Sequence, residues 1–542
     1  MSAWKRTAAD KVAARDALIP VEWKIPTTDS LNVIDFPRTC GLLSQSELEI
    51  TETDAVSLVE KMINRSLTSR KSLHTIKPSY FTNCLTEIMF TSALERASAI
   101  DHEYARTGEA VGPLHGLPIS LKDNYVVAGF DSTLGLVAWV DKPATEDQES
   151  VTVKILLSCG AVLFCKTNVS TAMMMPETYN NVWGYTSNPH NRNLSCGGSS
   201  GGESALLALK GSPLGVGTDL GGSLRNPASF TGLFALKSSA GRFSAYNTAS
   251  FAPGQESMRT ISGPMSRSLD SIEMWAKAVL SKEPWTKDPT ALPIPWRESQ
   301  LHEKLCFGMI TDNGLVRPTP PVTRALRQIR SALEAAGHRV VEWEPYAAAQ
   351  SMGILGAFFS GDGGHTLASV INESGEDWPR GLQFIKAMYE KSKDSPRSVG
   401  ETWITQQKRN DYVKKALDHW EASVEVTGTG RPFDGVISPT SPFSAPPKYG
   451  TFQPSYTSIW SITDQPTCVF PVTTVDERAD VKSESDLARE GRNDAEKAIW
   501  AQYNPQDLVG APIGLQMIGR KLEEEKVLKL VGVAVNALGS TK

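Results

Sequence analysis

Apolar positions change period repeatedly along this chain, and the changes mark elements. Residues 53–66, TDAVSLVEKMINRS, carry helical spacing, with Thr53 as the expected cap. Pro78 interrupts whatever helix starts after Thr68. Residues 83–107 are again helical in pattern, and LPISLK at 117–122 alternates as a strand. In that strand Leu117, Ile119 and Leu121 share one face, and Ser120 and Lys122 the other. A helix is expected over 149–159, ended by Gly160, then a buried strand, AVLFCK, at 161–166. Residues 203–210 are helical with Gly211 as the stop, and PLGVGT at 213–218 is the next strand.

The same alternation returns later. Residues 321–336 form an amphipathic helix closed by Gly337, followed by HRVVEW as a strand. FDGVIS at 433–438, TCVFPV at 467–472 and PIGLQMIG at 512–519 are further strands. Helix and strand in turn predict an α/β fold with a largely parallel or mixed sheet. Strands on both sides of a helix-rich stretch, 344–430, predict one core sheet with an inserted or peripheral helical layer. Residues 20–50, rich in Pro, Asp and Thr, read as an extended arm, and the charged stretch 473–506 as a surface excursion. The first twenty residues read as an amphipathic helix with Ala, Val, Leu and Ile inward, not as a signal peptide.

Composition narrows the function. The chain has 542 residues, 40% hydrophobic and 21% charged, enough for a large core. A net charge of −5 and the lack of a long basic run argue against nucleic acid. No apolar run reaches the ~18 residues of a membrane span. The seven cysteines include no CxxC, and Cys159 and Cys165 lack zinc-like partners, so no metal site is expected. Reduced thiols in a cytoplasmic protein are the simplest reading.

The chemistry concentrates between Cys196 and Arg225, CGGSSGGESALLALKGSPLGVGTDLGGSLR. Two glycine turns there carry serines. Ser223 follows a strand and the pair Gly221-Gly222, where backbone N–H groups can face a developing oxyanion. Ser200 and Glu203 fit a capping box for the helix that follows, which leaves Ser199 without a structural task. Lys122, at a strand end, would act as a base only if its pKa fell, since about 1 in 2,500 lysines is neutral at pH 7. His115, in GPLHGLP, fits a turn or the core better than a serine triad. There is no GxxxxGK[ST] loop, and no GxGxxG follows a strand.

Taken together, GPLHGLPISLKDN, CGGSSGGESALLA and GTDLGGSLRNPASFTGLFALKSS resemble the amidase signature family. ETYNNVWGYTSNPHN, GPMSRSLDSIEMW, FDGVISPTSP and GAPIGLQMIGRKLEEEKVL extend the resemblance from about residue 40 to the end, and the N-terminal segment is most similar to the fungal acetamidase branch. The resemblance implies one large domain over 51–542 behind an N-terminal arm, 1–50. Its catalytic core lies at about 83–280, with a central mixed, twisted sheet covered by helices on both faces. It implies Ser223 as nucleophile, Ser199 as a bridging serine after a cis peptide from Gly198, and Lys122 as base and acid. The backbone at Leu220, Gly221 and Gly222 would hold the oxyanion, and the backbone near Met173 and Met175 would line the acyl side of the pocket. Gly198, Thr218, Asp219 and Arg225 would support the turn. Against the pattern of the fungal branch it resembles, the segment between Thr68 and Asn83 looks several residues short. The expected activity is serine amide hydrolysis of small to medium neutral amides without a cofactor, by a possible homodimer. The alternatives are the amidase subunit of an amidotransferase complex, a lipid-amide hydrolase and a catalytically silent scaffold.

Overall fold

The computed structural model describes residues 2–23, 28–75, 82–394 and 397–540. Its centre is one eleven-stranded sheet. In chain order the strands are β1 (Leu85–Ile88), β2 (Pro118–Lys122), β3 (Val162–Thr167), β4 (Leu214–Asp219), β5 (Phe234–Lys237) and β6 (Ile261–Ser266), then β7 (Cys306–Met309), β8 (Arg339–Glu342), β9 (Gly435–Pro439), β10 (Thr467–Thr474) and β11 (Pro512–Ile518). Their spatial order is β1-β3-β2-β4-β6-β5-β10-β11-β9-β7-β8. The sheet is mixed: β2 runs parallel to both β3 and β4, β7 to both β8 and β9, and the remaining pairs are antiparallel.

Strand period carries the two faces. Along β10, Cys468, Phe470 and Val472 enter one cluster with Leu333, Leu530 and Ala534, from the helices Pro320–Ala335 and Glu524–Ser540. The alternate residue Val469 packs with Leu207, Leu224 and Ala228, from or beside the helices Gly201–Ala208 and Arg225–Thr231. Period-two burial on both faces explains why the strands read as near-continuous apolar runs.

Several elements differ from the pattern-based reading. The stretch expected to be helical from residue 83 begins with β1, and its helix is Phe90–Thr107. The helix expected at 53–66 is Ala55–Ile63, capped by Asp54 rather than Thr53: the Asp54 carboxylate accepts from Ser57 N at 3.1 Å. Thr53 instead closes the preceding helix, Gln45–Glu52, which interrupts the supposed extended arm. A helix does follow Thr68, at Ser69–Thr75, while Pro78 lies outside the described residues. The N-terminal helix, Ala3–Ala17, buries only Ala8 and leaves Leu18 exposed. It docks through charge: Lys11 Nζ lies 2.8 Å from both Glu87 and Asp131, and Arg15 donates to Leu85 O at 2.8 Å. Gly211 is not the left-handed stop of its helix; Lys210 takes that role at φ 61°.

Strands β5, β6 and β7 have no counterpart in the pattern. β6 contains Gly263-Pro264, which reads as a breaker, yet Pro264 sits opposite Val216 inside the sheet. A Cβ at Gly263 would stand 2.0 Å from Leu236 O, so close strand packing selects the glycine. The 344–430 stretch is helical as expected, with Ala348–Phe359, His365–Ser374, Gln383–Ser392 and Val399–Glu421. No described helix is long and apolar enough to cross a membrane.

Candidate active site

Parallel neighbours β2 and β4 end at the same edge of the sheet, with Leu121 opposite Val216. That register puts Lys122, the last residue of β2, beside Thr218 and Asp219, the last of β4. The carboxyl ends of parallel strands are where open α/β sheets collect ligands. Lys122 is fully buried. Its Nζ donates to Thr218 Oγ1 at 2.8 Å, Thr218 O at 3.1 Å and Ser199 Oγ at 2.8 Å. Burial pushes the ammonium pKa down to about 7, against the upward pull of the Asp219 and Glu203 carboxylates. Lys122 is therefore an amine that can accept a proton at neutral pH, with the Ser199 hydroxyl in contact.

Ser199 follows a cis peptide bond from Gly198, as the resemblance implies. It precedes the wholly buried helix Gly201–Ala208. The glycines at this helix start are forced by close approach. A Cβ at Gly201 would lie 2.4 Å from Thr178 Oγ1, and one at Gly202 2.4 Å from Asn168 N. The capping box expected here does not form. Ser200 Oγ gives no cap bond and turns to Thr218 O at 3.3 Å. Glu203 turns inward, where it accepts from Thr167 Oγ1 at 2.6 Å and from Ser120 Oγ. A helix buried on every side has no water to hold its acid outward. Burial lifts the Glu203 carboxyl to about 7. The carboxylate lies flat on β4: a Cβ on Gly215 would stand 1.8 Å from Glu203 Oε1. Gly215→Ala is therefore expected to cost about 2–3 kcal/mol or more by overpacking, read as a lower midpoint in urea unfolding.

Ser223 sits half-buried on the turn between β4 and the helix Arg225–Thr231. Asp219 organises this turn from within. Its Oδ1 accepts from Gly222 N at 2.8 Å and its Oδ2 from Leu224 N at 3.0 Å. Arg225 closes on the same carboxylate through Nε at 3.0 Å and Nη2 at 2.9 Å. Burial alone would raise the Asp219 pKa, but the Arg225 guanidinium brings it down to about 2, so the pair stays ionised. Arg225 also donates to Thr457 O at 2.9 Å and Ser461 Oγ at 2.7 Å, and Thr457 Oγ1 donates to Gly221 O at 2.7 Å. The helix Ser455–Ile462 thus braces the turn from outside. Gly222 adopts φ 136°, and a Cβ there would meet Asn226 and Thr457 at 2.8 Å. Ser200 N donates to Ser223 O at 3.2 Å, which stitches the two serine loops together.

Lys122, Ser199, Thr218, Leu220 and Ser223 line one cavity of about 620 Å³. Its wall also takes Met173 and Met174, from a loop in which Ala172 and Met173 both have positive φ. The resemblance implies Met175 beside the substrate through its backbone. Its side chain is buried among Leu134, Leu136, Leu367 and Ile385, and only its carbonyl faces Gly198. Met174, adjacent in sequence, also lines the cavity. His115 is buried against the Tyr104 ring, with Val111 N donating to its Nδ1 at 3.2 Å, a structural setting. The sequence reading missed Glu203 as a buried acid, and it missed the 250–258 segment and the helix ends at Phe359 and Thr402 as cavity wall. The signal for Glu203 was present: an acid inside an otherwise small and apolar helix.

A family model described as Amidase matches residues 70–528. The chain belongs to the amidase family. Like other members it is a hydrolase of amide C–N bonds. It is 37% identical to a putative amidase, kk1C, of Curvularia clavata, over 99% of this chain and 98% of that one. It is 36% identical to an acetamidase of Emericella nidulans, again over 99% and 98% of the two chains. Among solved structures, a fatty acid amide hydrolase superposes with a TM-score of 0.93 at 30% identity, covering 99% of this chain and 95% of that one.

Proposed function

We propose that this amidase works through a Lys122–Ser199–Ser223 relay and an acyl-enzyme on Ser223. The observation that carries this reading is a fully buried lysine, poised near neutrality, bonded to Ser199 in a cavity shared with Ser223. Neutral Lys122 takes the proton of Ser199 as Ser199 takes that of Ser223. The Ser223 Oγ attacks the amide carbonyl, forming a C–O bond. Backbone N–H groups along 220–223 receive the oxyanion, on a turn that Asp219 and Arg225 hold rigid. The relay then runs backwards, the C–N bond breaks, and the proton from Lys122 reaches the departing nitrogen through Ser199. Water enters, loses its proton by the same path and releases the acid.

We read the substrates as neutral carboxylic amides, acetamidase-like in chemistry, with ammonia or an amine as the other product. A cytoplasmic setting suits seven free thiols, six of them buried. The test is direct. Purified protein given a primary amide should release ammonia, and rapid quenching should leave an acyl mass on the peptide that carries Ser223. Turnover with the acyl group on another residue, or with none, would overturn the relay.

A further inference from the structure

Glu203 is a buried acid that the relay leaves without a role. It is 0% exposed, inside a helix, Gly201–Ala208, whose every residue is buried. Its carboxylate reaches across three neighbouring parallel strands. On β3 it accepts from Thr167 Oγ1 at 2.6 Å, and on β2 from Ser120 Oγ. On β4 it lies where a Cβ of Gly215 would stand 1.8 Å from Oε1. Ser120 pairs with Gly215 and Lys122 with Thr167, so the acid spans the last rungs before the strands end at the cavity. Ser120 and Lys122 share one face of β2. The Lys122 stem therefore leaves the sheet one step along from the carboxylate.

Both partners of this carboxylate are hydroxyls, and the cation that acts on it through space is Lys122. A glutamine would fill the same volume and could bridge the same two hydroxyls, since Thr167 Oγ1 lies 3.3 Å from Leu121 O and can turn its proton there. The fold thus has no need of an acid here, and burying one costs stability. What the acid adds is charge. Resting on the relay reading, we propose that Glu203 is a positioning residue: it ties β2, β3 and β4 in register below Lys122, and its carboxylate steadies the ammonium formed when Lys122 takes the Ser199 proton. No bond to Glu203 forms or breaks; the proton moves from Ser199 Oγ to Lys122 Nζ and returns through Ser199 to the leaving nitrogen. The other groups facing this pair leave the task to Glu203. Tyr125, Cys84 and Cys165 are pushed up by burial and stay neutral. Asp219 also acts on Lys122 but is held in its ion pair with Arg225.

The experiment is the pH profile of kcat/KM on whichever of acetamide, butyramide and benzamide the wild type hydrolyses fastest. Glu203→Gln keeps the shape and removes the charge. Without the carboxylate the ammonium loses support, so Lys122 gives up its proton at lower pH. The acid-side midpoint should move down by roughly one pH unit. At pH 6 the variant should then run at about half its own plateau, against about a tenth for wild type. The plateau itself should fall severalfold, because the amine is a weaker base. Ser120→Ala tests the same point with the acid in place. It removes a hydroxyl that favours the carboxylate form, so its midpoint should move the same way by less. Thermal melts establish that each variant is folded, and Ser120→Ala decides if Glu203→Gln does not fold. A midpoint that stays at the wild-type value or rises, with only the rate or the melting temperature lowered, makes Glu203 structural and overturns the proposal. Lys122→Met separates the two readings. An acid limb that persists there overturns the relay, whereas a limb lost there but unmoved by Glu203→Gln overturns only the role of Glu203. Folded wild type that hydrolyses none of these amides brings down both.

Discussion

Ser223→Ala is expected to lower amide hydrolysis by about five to six orders of magnitude, the cost typical of removing a serine nucleophile. It should change stability by less than about 1 kcal/mol. The contrast follows from how the turn is built. Its shape is set by Asp219, Arg225 and Thr457 through the backbone of residues 221–225, none of which involves the Ser223 hydroxyl. Removing Oγ therefore takes away the attacking atom and leaves the scaffold. Ammonia release and a thermal melt, on wild type and variant side by side, provide the check. The relay adds a second condition. Residues that act as a unit are not additive, so Ser199→Ala combined with Ser223→Ala should be no slower than Ser223→Ala alone. A Ser223→Ala enzyme that keeps a tenth of the wild-type rate would place the nucleophile elsewhere.

The second large effect is on pH. Lys122 must be neutral to start the relay, and desolvation brings its pKa to about 7. Below that value the ammonium dominates and the base is blocked. The rate constant kcat/KM should therefore climb about tenfold per pH unit on the acid side and level off roughly one unit above the midpoint. At pH 6 the enzyme should run at about a tenth of its plateau, and at pH 7 at about half. Lys122→Met keeps most of the apolar stem and removes the amine. It should cost on the order of a thousandfold and flatten that limb, because the amine whose deprotonation starts the relay is gone. A limb that survives unchanged in Lys122→Met would assign the titration to another residue. Glu203, the buried acid also lifted to about 7, is the group such a limb would report; His115 is bonded to backbone and lies off the cavity wall.

Much of this molecule was legible from residue order. Strands with consecutive apolar residues, such as Val162–Cys165 in β3 and Cys468–Phe470 in β10, announced themselves, since burial on both faces favours apolar residues at successive positions. Sheet neighbours of another kind did not. β6 hides behind Gly263-Pro264, because its glycine answers to a backbone across the sheet rather than to its own chain. Short strands such as β5 and β7 hold four residues each, too few to show a period.

The chemistry divides along the same line. The identities of Lys122, Ser199 and Ser223, and the glycines that allow their loops, are fixed by sequence. Only the tertiary structure decides that Lys122 loses its water and thereby its strong preference for the charged form. Desolvation is the sum of every element packed around a side chain, and no local pattern contains it. Glu203 makes the same point in reverse. By spacing it belongs to a helix cap, yet a helix enclosed on all sides turns its carboxyl inward to Ser120 and Thr167. The cavity wall is decided at the greatest distance of all, because Met174, Met258 and Phe359 come together only when the helix Ala348–Phe359 is laid across the turn at Gly221.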